Sequence, residues 1–392
     1  MDSEDLIWGR ILQIQQGENQ GGGFLGRYFP MGESGYMKES FLQGAVEGEW
    51  KSYTHQSGLQ GTLYGVANLI LKVFVPQTNI RWAVLRFANS VLYIAGMLLL
   101  CRWIWQKTGF AAALTGFSCV LLAGLSTETM PNLYWVTWTL LLPFLVSTAV
   151  CGWVERDRKH TVWGAAFIGG AVLLRCLCGF EFISGVMIAA ELPVFFELLC
   201  AEKEHRIFWF RWALLVAVFQ LAAFALSFGI WLVQDLLYFQ DWALVKEDIL
   251  ATIAKRTGAF SEWIPDNEAY IESLEDPRLN VLKWYLNEKL YLNMLSILDL
   301  MKWALVSYIP LLLHGIYKKK ASRELIRQGR WLIFAFASVL GPASWYVLAS
   351  GHSSIHKLVN GVLWLFPTLP LLLAAVGGNI AAADAVLRKG EL

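Results

Sequence analysis

Residues 131–153 read PNLYWVTWTLLLPFLVSTAVCGW and residues 162–179 read VWGAAFIGGAVLLRCLCG, with VERDRKHT between them. The first stretch holds no charged side chain and the second holds only Arg175. A helix of about 20 mainly apolar residues crosses the hydrocarbon of a bilayer. Inside lipid, each backbone donor and acceptor must be satisfied within the segment, so these stretches must be helices and not open strands. Comparable stretches occur at 82–104, 109–126, 181–201, 212–235, 297–317, 331–350 and 358–378, with a weaker one at 60–76. The expected fold class is all-α: a polytopic transmembrane helical bundle of about 9–10 spans. Short turns predict helical hairpins for 109–126/131–153 and for 162–179/181–201.

Composition agrees with this reading. Of 392 residues, 56% are hydrophobic and only 16% are charged, against about a quarter charged in a soluble domain. A soluble domain of this length has nowhere to put so much apolar surface. The net charge of +1 gives no reason to expect a nucleic-acid partner. Six cysteines (Cys101, Cys119, Cys151, Cys176, Cys178, Cys200) lie in or beside apolar stretches and read as small buried hydrophobes. MDSEDLIWGR is acidic and lacks the apolar run of a signal peptide.

Lys and Arg in the loops set the orientation. The loop 318–330, KKKASRELIRQGR, holds six basic residues and one acid. The loops at 154–161 and 202–211 lean basic too, and Arg102 and Lys107 flank another turn. One alternating topology makes all four cytoplasmic. It places 127–131, 179–181, 236–296 and 351–357 outside, and the loop 236–296, with ten acids and six bases, suits that face. Residues 1–59 are cytoplasmic if 60–76 spans fully and outside if it is a re-entrant or interfacial helix. With the second, favoured, choice the regions are 1–59, an extracytoplasmic Gly-rich loop with an amphipathic interfacial helix at 37–50; 60–235, a first set of membrane helices; 236–296, an extracytoplasmic loop, helical over 241–262 and 266–292; and 297–392, the C-terminal membrane helices with a cytoplasmic tail. Glycines in 15–36 permit close backbone approach to a ligand.

Polar groups at membrane depth are costly unless they are paired or line a wet cavity. Arg175 and Glu181 straddle Gly179, where their ends meet at the outer face; they read either as a structural ion pair or as a site in which the Arg175 fork holds a phosphate. Glu128, near Asn132, Tyr134 and Trp135, offers a carboxylate for sugar hydroxyls beside rings for apolar sugar faces, although Trp and Tyr also mark an ordinary interfacial belt. His352, His356 and Lys357 lie in one outer turn, which reads either as plain interfacial solvation or as an anion contact, while a metal site would need a third ligand. Glycosyl transfer requires a carboxylate base, and Glu18 and Glu33 in the first polar segment are the candidates. Carboxylates there could also hold a divalent metal that steadies a departing phosphate. Lys255-Arg256-Thr257-Gly258 is a weaker anion candidate, since charges beside a helix usually form a solvated face. No P-loop, dinucleotide-binding glycine pattern, HExxH or serine-hydrolase elbow occurs, so ATP-driven transport and NAD chemistry have no support.

The segments YTHQSGLQGTLYG (53–65), MPNLYWVTW (130–138), RCLCGFEFISG (175–185) and ASGHSSIHKLVNGVLWLFP (349–367) resemble a group of bacterial polytopic membrane proteins similar to the GT-C superfamily of membrane glycosyltransferases. That resemblance implies an integral protein of the bacterial cytoplasmic membrane with its active site on the extracytoplasmic side. It implies a polyprenyl-phosphate sugar donor, a glycan or lipid acceptor, and an acidic residue in the first outer loop. On this reading Glu18 or Glu33 acts as base, Arg175, His352, His356 and Lys357 hold the donor phosphate, and Glu128, Tyr134 and Glu181 contact substrate. The superfamily's first outer loop usually carries Asp, where this chain has Glu. The competing expectations are a transporter or flippase of a lipid-linked glycan, and a non-catalytic membrane subunit.

Overall fold

The computed structural model describes residues 3–18, 21–29, 36–44, 48–258, 278–319, 322–357 and 359–388. Among these, eight helices are long and apolar enough to cross a membrane. Among the described residues the chain is an all-α bundle with two small two-stranded antiparallel sheets.

The amino-terminal unit comprises α1 (Glu4–Gln16), β1 (Leu25–Phe29), α2 (Tyr36–Gln43) and β2 (Glu49–Tyr53). The segment around 15–36, read as loop, therefore contains a strand, and the helix expected over 37–50 stops at Gln43. Strands β1 and β2 pair antiparallel with Arg27 opposite Lys51. The pairing satisfies main-chain groups that a Gly-rich loop would leave to water. Helix α3 (Leu59–Phe74) folds back on α4 (Thr78–Thr108). The buried Arg81 guanidinium closes this turn by donating to Asn68 Oδ1 and to the carbonyls of Val75 and Pro76.

The stretch expected to span at 109–126 is broken into α5 (Phe110–Phe117), α6 (Cys119–Leu122) and α7 (Gly124–Thr129). Then come α8 (Thr137–Arg156), α9 (Thr161–Cys178), α10 (Ile183–Cys200) and the 37-residue α11 (Lys203–Phe239). Helix α9 packs on α11 and α8, while α10 packs chiefly on α8 and less on α9, so the short turns do not make tight hairpins. Gly169 lets α9 approach the Phe219 carbonyl of α11, the small-residue contact by which helices associate in lipid.

Beyond α11 lie α12 (Trp242–Thr257) and α13 (Arg278–Asn287), the hairpin β3 (Lys289–Tyr291) with β4 (Leu295–Ser296), and α14 (Ile297–Tyr317). Ser296 and Asp299 form a reciprocal capping box at the start of α14. Helices α15 (Arg323–Ala337) and α16 (Leu340–Leu348) form one interrupted span, followed by the short α17 (Ser350–Ile355). The last span starts later than 358: α18 runs Thr368–Arg388, after the 3-10 turn Asn360–Leu365. Helix α18 packs on α5, α14 and α15. All six cysteines are unbridged, and five are buried.

Trp103, Phe144, Phe196, Trp331 and Phe334 form a buried aromatic cluster, with neighbouring ring centroids 5.0–5.6 Å apart. Leu140, Leu141, Met97 and Leu100 are buried above it. The turns 130–136 and 179–182 and the short α17 come together with residues of the amino-terminal unit at the other end of the bundle.

Candidate functional site

At that end a cavity of about 480 Å³ opens. Its walls come from segments far apart in sequence: Arg27 of β1, Tyr53 and His55 after β2, Tyr134 and Trp135 before α8, and Glu181 between α9 and α10. Thr252, Lys255 and Arg256 of α12 and His352 and His356 complete them.

The floor is held by backbone clamps. Asn132 Oδ1 accepts from the amides of Tyr134 and Trp135, and Asn89 Nδ2 donates to the carbonyls of Met130 and Asn132. Val136 follows at φ 44 and Phe182 stands at φ 67. A left-handed backbone at a β-branched residue costs on the order of 1–3 kcal/mol, and such strain gathers at functional sites. The rings of Trp135 and Phe182 stack 5.2 Å apart, coupling the two strained turns. Gly179 has a structural reason to be glycine: a Cβ there would lie 2.5 Å from Gln56 Oε1. Gly351 has a similar one, because a Cβ would meet the Gly258 amide nitrogen at 2.9 Å. Its absence seats α17 against the end of α12 and carries His352 to the basic pair.

Glu181 is the carboxylate of this cavity. It is 6% exposed, it accepts a 2.9 Å hydrogen bond from the Tyr134 hydroxyl, and His352 Nε2 stands 3.9 Å from it. Burial and the Glu181 charge push the Tyr134 hydroxyl well above its ordinary pKa, so it remains a donor. Burial, His356 and Arg256 hold the His352 ring well below its ordinary pKa. The ring is thus neutral and resists protonation. His356 is shifted down by burial, opposed by Glu181. The two imidazole centroids lie 4.6 Å apart.

The opposite wall is basic. Arg256 Nη2 donates to the His55 carbonyl at 3.0 Å, and Thr252 Oγ1 lies 2.7 Å from His55 Nδ1. Asp248 stands 3.7 Å from His55 and accepts from Thr54 Oγ1. Burial, then Lys255 and Arg256, push the His55 ring down to about 3. Arg27, Lys255 and Arg256 share the lining with the Glu181 carboxylate, while Asp248 offsets Lys255 from outside it, and such cations suit an anion.

The expected site residues divide. Tyr134, Glu181, His352 and His356 line the cavity together. Arg175 stands behind its wall, 2% exposed. It pairs with carbonyls rather than with the Glu181 carboxylate: its guanidinium donates to those of Trp135 and Glu181 and to Thr139 Oγ1. It braces the floor by joining both turns. Glu128 is exposed on α7 and is not in the lining. Lys357 borders a separate cavity of about 170 Å³ with Trp284. Glu18 accepts from the Tyr28 hydroxyl at 2.7 Å, and alternation along β1 puts Tyr28 on the opposite face from Arg27. Glu33 lies outside the described residues. Among the described residues, no three His, Cys, Asp or Glu side chains gather to hold a metal ion. Arg27, Tyr53 and Thr252 were not singled out by sequence, and Lys255-Arg256 was read as a solvated face. Their signal was faint, since each depends on the packing of α12 and the hairpin over the floor.

Beside the floor, an apolar groove of about 210 Å³ lies between α3, α4, α8 and α9. Leu63, Ala67 and Leu92 line it, with Val136 and Trp138, close in sequence to Trp135 of the main cavity. Leu63 and Leu92 are about half exposed on this lipid-type surface (49% and 48%). No family model, curated protein or solved structure matches the chain.

Proposed function

We propose that this protein is a GT-C-like glycosyltransferase of the bacterial cytoplasmic membrane, moving a sugar from a polyprenyl-phosphate donor to a glycan or lipid acceptor at the extracytoplasmic end. One observation carries the reading: a buried carboxylate paired with Tyr134 and His352 faces a basic wall across a single cavity. The bias of basic residues toward the opposite end supports the orientation.

In this reading Glu181 replaces Glu18 and Glu33 as the base. The acceptor hydroxyl loses its proton to Glu181. Its oxygen forms the new bond to the anomeric carbon while the bond from that carbon to the phosphate oxygen breaks. The departing phosphate keeps the electron pair and is stabilised by Arg27, Lys255 and Arg256. Trp135 and Tyr53 supply ring faces for the sugar. The apolar groove beside Trp135 accommodates the first isoprene units of the donor, whose hydrocarbon then continues into the bilayer.

The buried aromatic cluster beneath the cavity supports chemistry at one face over passage through the bundle. The test is transfer of labelled sugar from a polyprenyl-phosphate donor by the purified protein in nanodiscs. Turnover that Glu181→Gln abolishes supports the proposal. Movement of the intact donor across proteoliposomes without transfer would assign a flippase instead.

A further inference from the structure

The bundle has a second polar cavity, far from the first. Along α4, Asn89 clamps the floor of the main cavity, and Lys107 lies 18 residues on, about 27 Å at the rise of an α-helix. There the last turns of α4 and α10 meet the first two turns of α15 around a cavity of about 330 Å³. Lys107, Arg323, Arg327 and Arg330 line it, together with the apolar Phe196 and Ile326.

Two of these cations are neutralised within the protein. Lys107 pairs with Glu197 at 2.7 Å, and Arg327 pairs with Glu324 at 2.5 Å. Among the described residues, Arg323 and Arg330 have no carboxylate partner; Arg330 instead reaches the Cys200 thiol. Two guanidinium groups thus face a concave space without a counter-charge, beside apolar walls and at the ends of membrane helices. Arg330 is partly buried and Arg323 stands exposed at the rim, and a partly buried cation without a counter-charge favours an anion. A planar fork matches phosphate oxygens in pairs, and basic pockets between membrane helices on the cytoplasmic side take phospholipid headgroups.

We infer that this cavity binds a phosphate-bearing anion through Arg323 and Arg330, with Phe196 and Ile326 against the less polar part of the ligand. The site is independent of the sugar-transfer reading. It stands at the opposite end of the bundle, beyond the aromatic cluster that Phe196 itself joins.

The experiment uses the full chain in detergent and reads bound lipid by native mass spectrometry. Phosphatidylglycerol, phosphatidylcholine and inorganic phosphate are the three probes. Phosphatidylglycerol is expected to bind more tightly than phosphatidylcholine. The double variant Arg323→Gln/Arg330→Gln is expected to weaken it about tenfold or more, the scale of losing charge-assisted bonds. Arg102→Gln, at the same end but outside the cavity, is expected to change binding little, and Arg323→Lys/Arg330→Lys to retain part of it. Competition by inorganic phosphate assigns a free anion as the ligand, and its failure to compete assigns a lipid headgroup. Binding that ignores headgroup charge, survives the double Gln variant, or falls equally in Arg102→Gln overturns the inference.

Discussion

Glu181 and His352 face each other at 3.9 Å, although one closes the turn between α9 and α10 and the other sits in α17. The Tyr134 hydroxyl donates to the same carboxylate oxygen, Oε1, that His352 faces. Glu181→Gln keeps an acceptor for Tyr134 and removes the base. Turnover should fall about 10²–10⁴-fold, the usual share of general-base catalysis, while the protein still elutes as a folded monodisperse species. Tyr134→Phe should cost far less. Near-normal transfer by Glu181→Gln would remove this residue from the reaction.

The basic wall predicts a salt-sensitive donor interaction. Arg256→Gln and Lys255→Gln should raise the donor KM by about tenfold each, as loss of a charge-assisted phosphate bond implies, and should flatten the dependence of KM on ionic strength. A KM indifferent to both substitutions and to salt would mean that no anion meets this wall.

Glu18 makes a contrasting case. Its contact with Tyr28 is on the far face of the hairpin, so Glu18→Gln should leave turnover within about threefold and cost about 1 kcal/mol of stability, the value of one ordinary hydrogen bond. A large loss of kcat with an unchanged melting temperature would restore Glu18 as the base.

The apolar groove gives a prediction about donor length. Ala67→Trp fills the space between Leu63 and Leu92. Transfer from a long-chain polyprenyl donor should drop, whereas a donor with a single short prenyl unit should react as before. Equal effects on both donors would detach the groove from substrate binding.

His55 links the cavity to acid stability. The folded protein keeps the ring neutral down to about pH 3, while the unfolded ring titrates near 6.5. Between these values the unfolded chain binds a proton that the folded chain refuses, so stability falls as pH drops below about 6.5 and is unaffected above it. Asp248 faces the ring and acts in the opposite sense, because burial raises its pKa. The comparison is therefore wild type against His55→Gln in melts from pH 7 to 4. The variant should lose up to about 1.4 kcal/mol per pH unit of the acid slope. Parallel curves would show that His55 is not the titrating group.

The sequence made the bundle legible because lipid imposes one simple demand, a run of apolar residues long enough to cross. It therefore located stretches such as 131–153 and 181–201 within a few residues of α8 and α10. It erred where helices break inside apolar sequence, as between Phe117 and Gly124, because a break there depends on packing against α18 and not on composition. It also missed strand β1, since alternation over five residues is a faint signal beside four glycines. For the site, Tyr134, Glu181, His352 and His356 stood out as polar groups at helix ends. Arg175 stood out for the same reason, yet its partners are carbonyls, which leave no mark in a sequence. Lys255 and Arg256 look like any solvated pair until α12 is laid over the floor.

If the proposed reaction takes place in the main cavity, the buried aromatic cluster of Trp103, Phe144, Phe196, Trp331 and Phe334 would also serve as electrical insulation. A ligand that enters and leaves on one side of it crosses little of the transmembrane voltage, whereas a charge carried past it would do work of about 2.3 kcal/mol per 100 mV. Turnover in sealed vesicles should therefore be blind to an imposed potential, and the cell's energised state would neither drive nor brake the reaction.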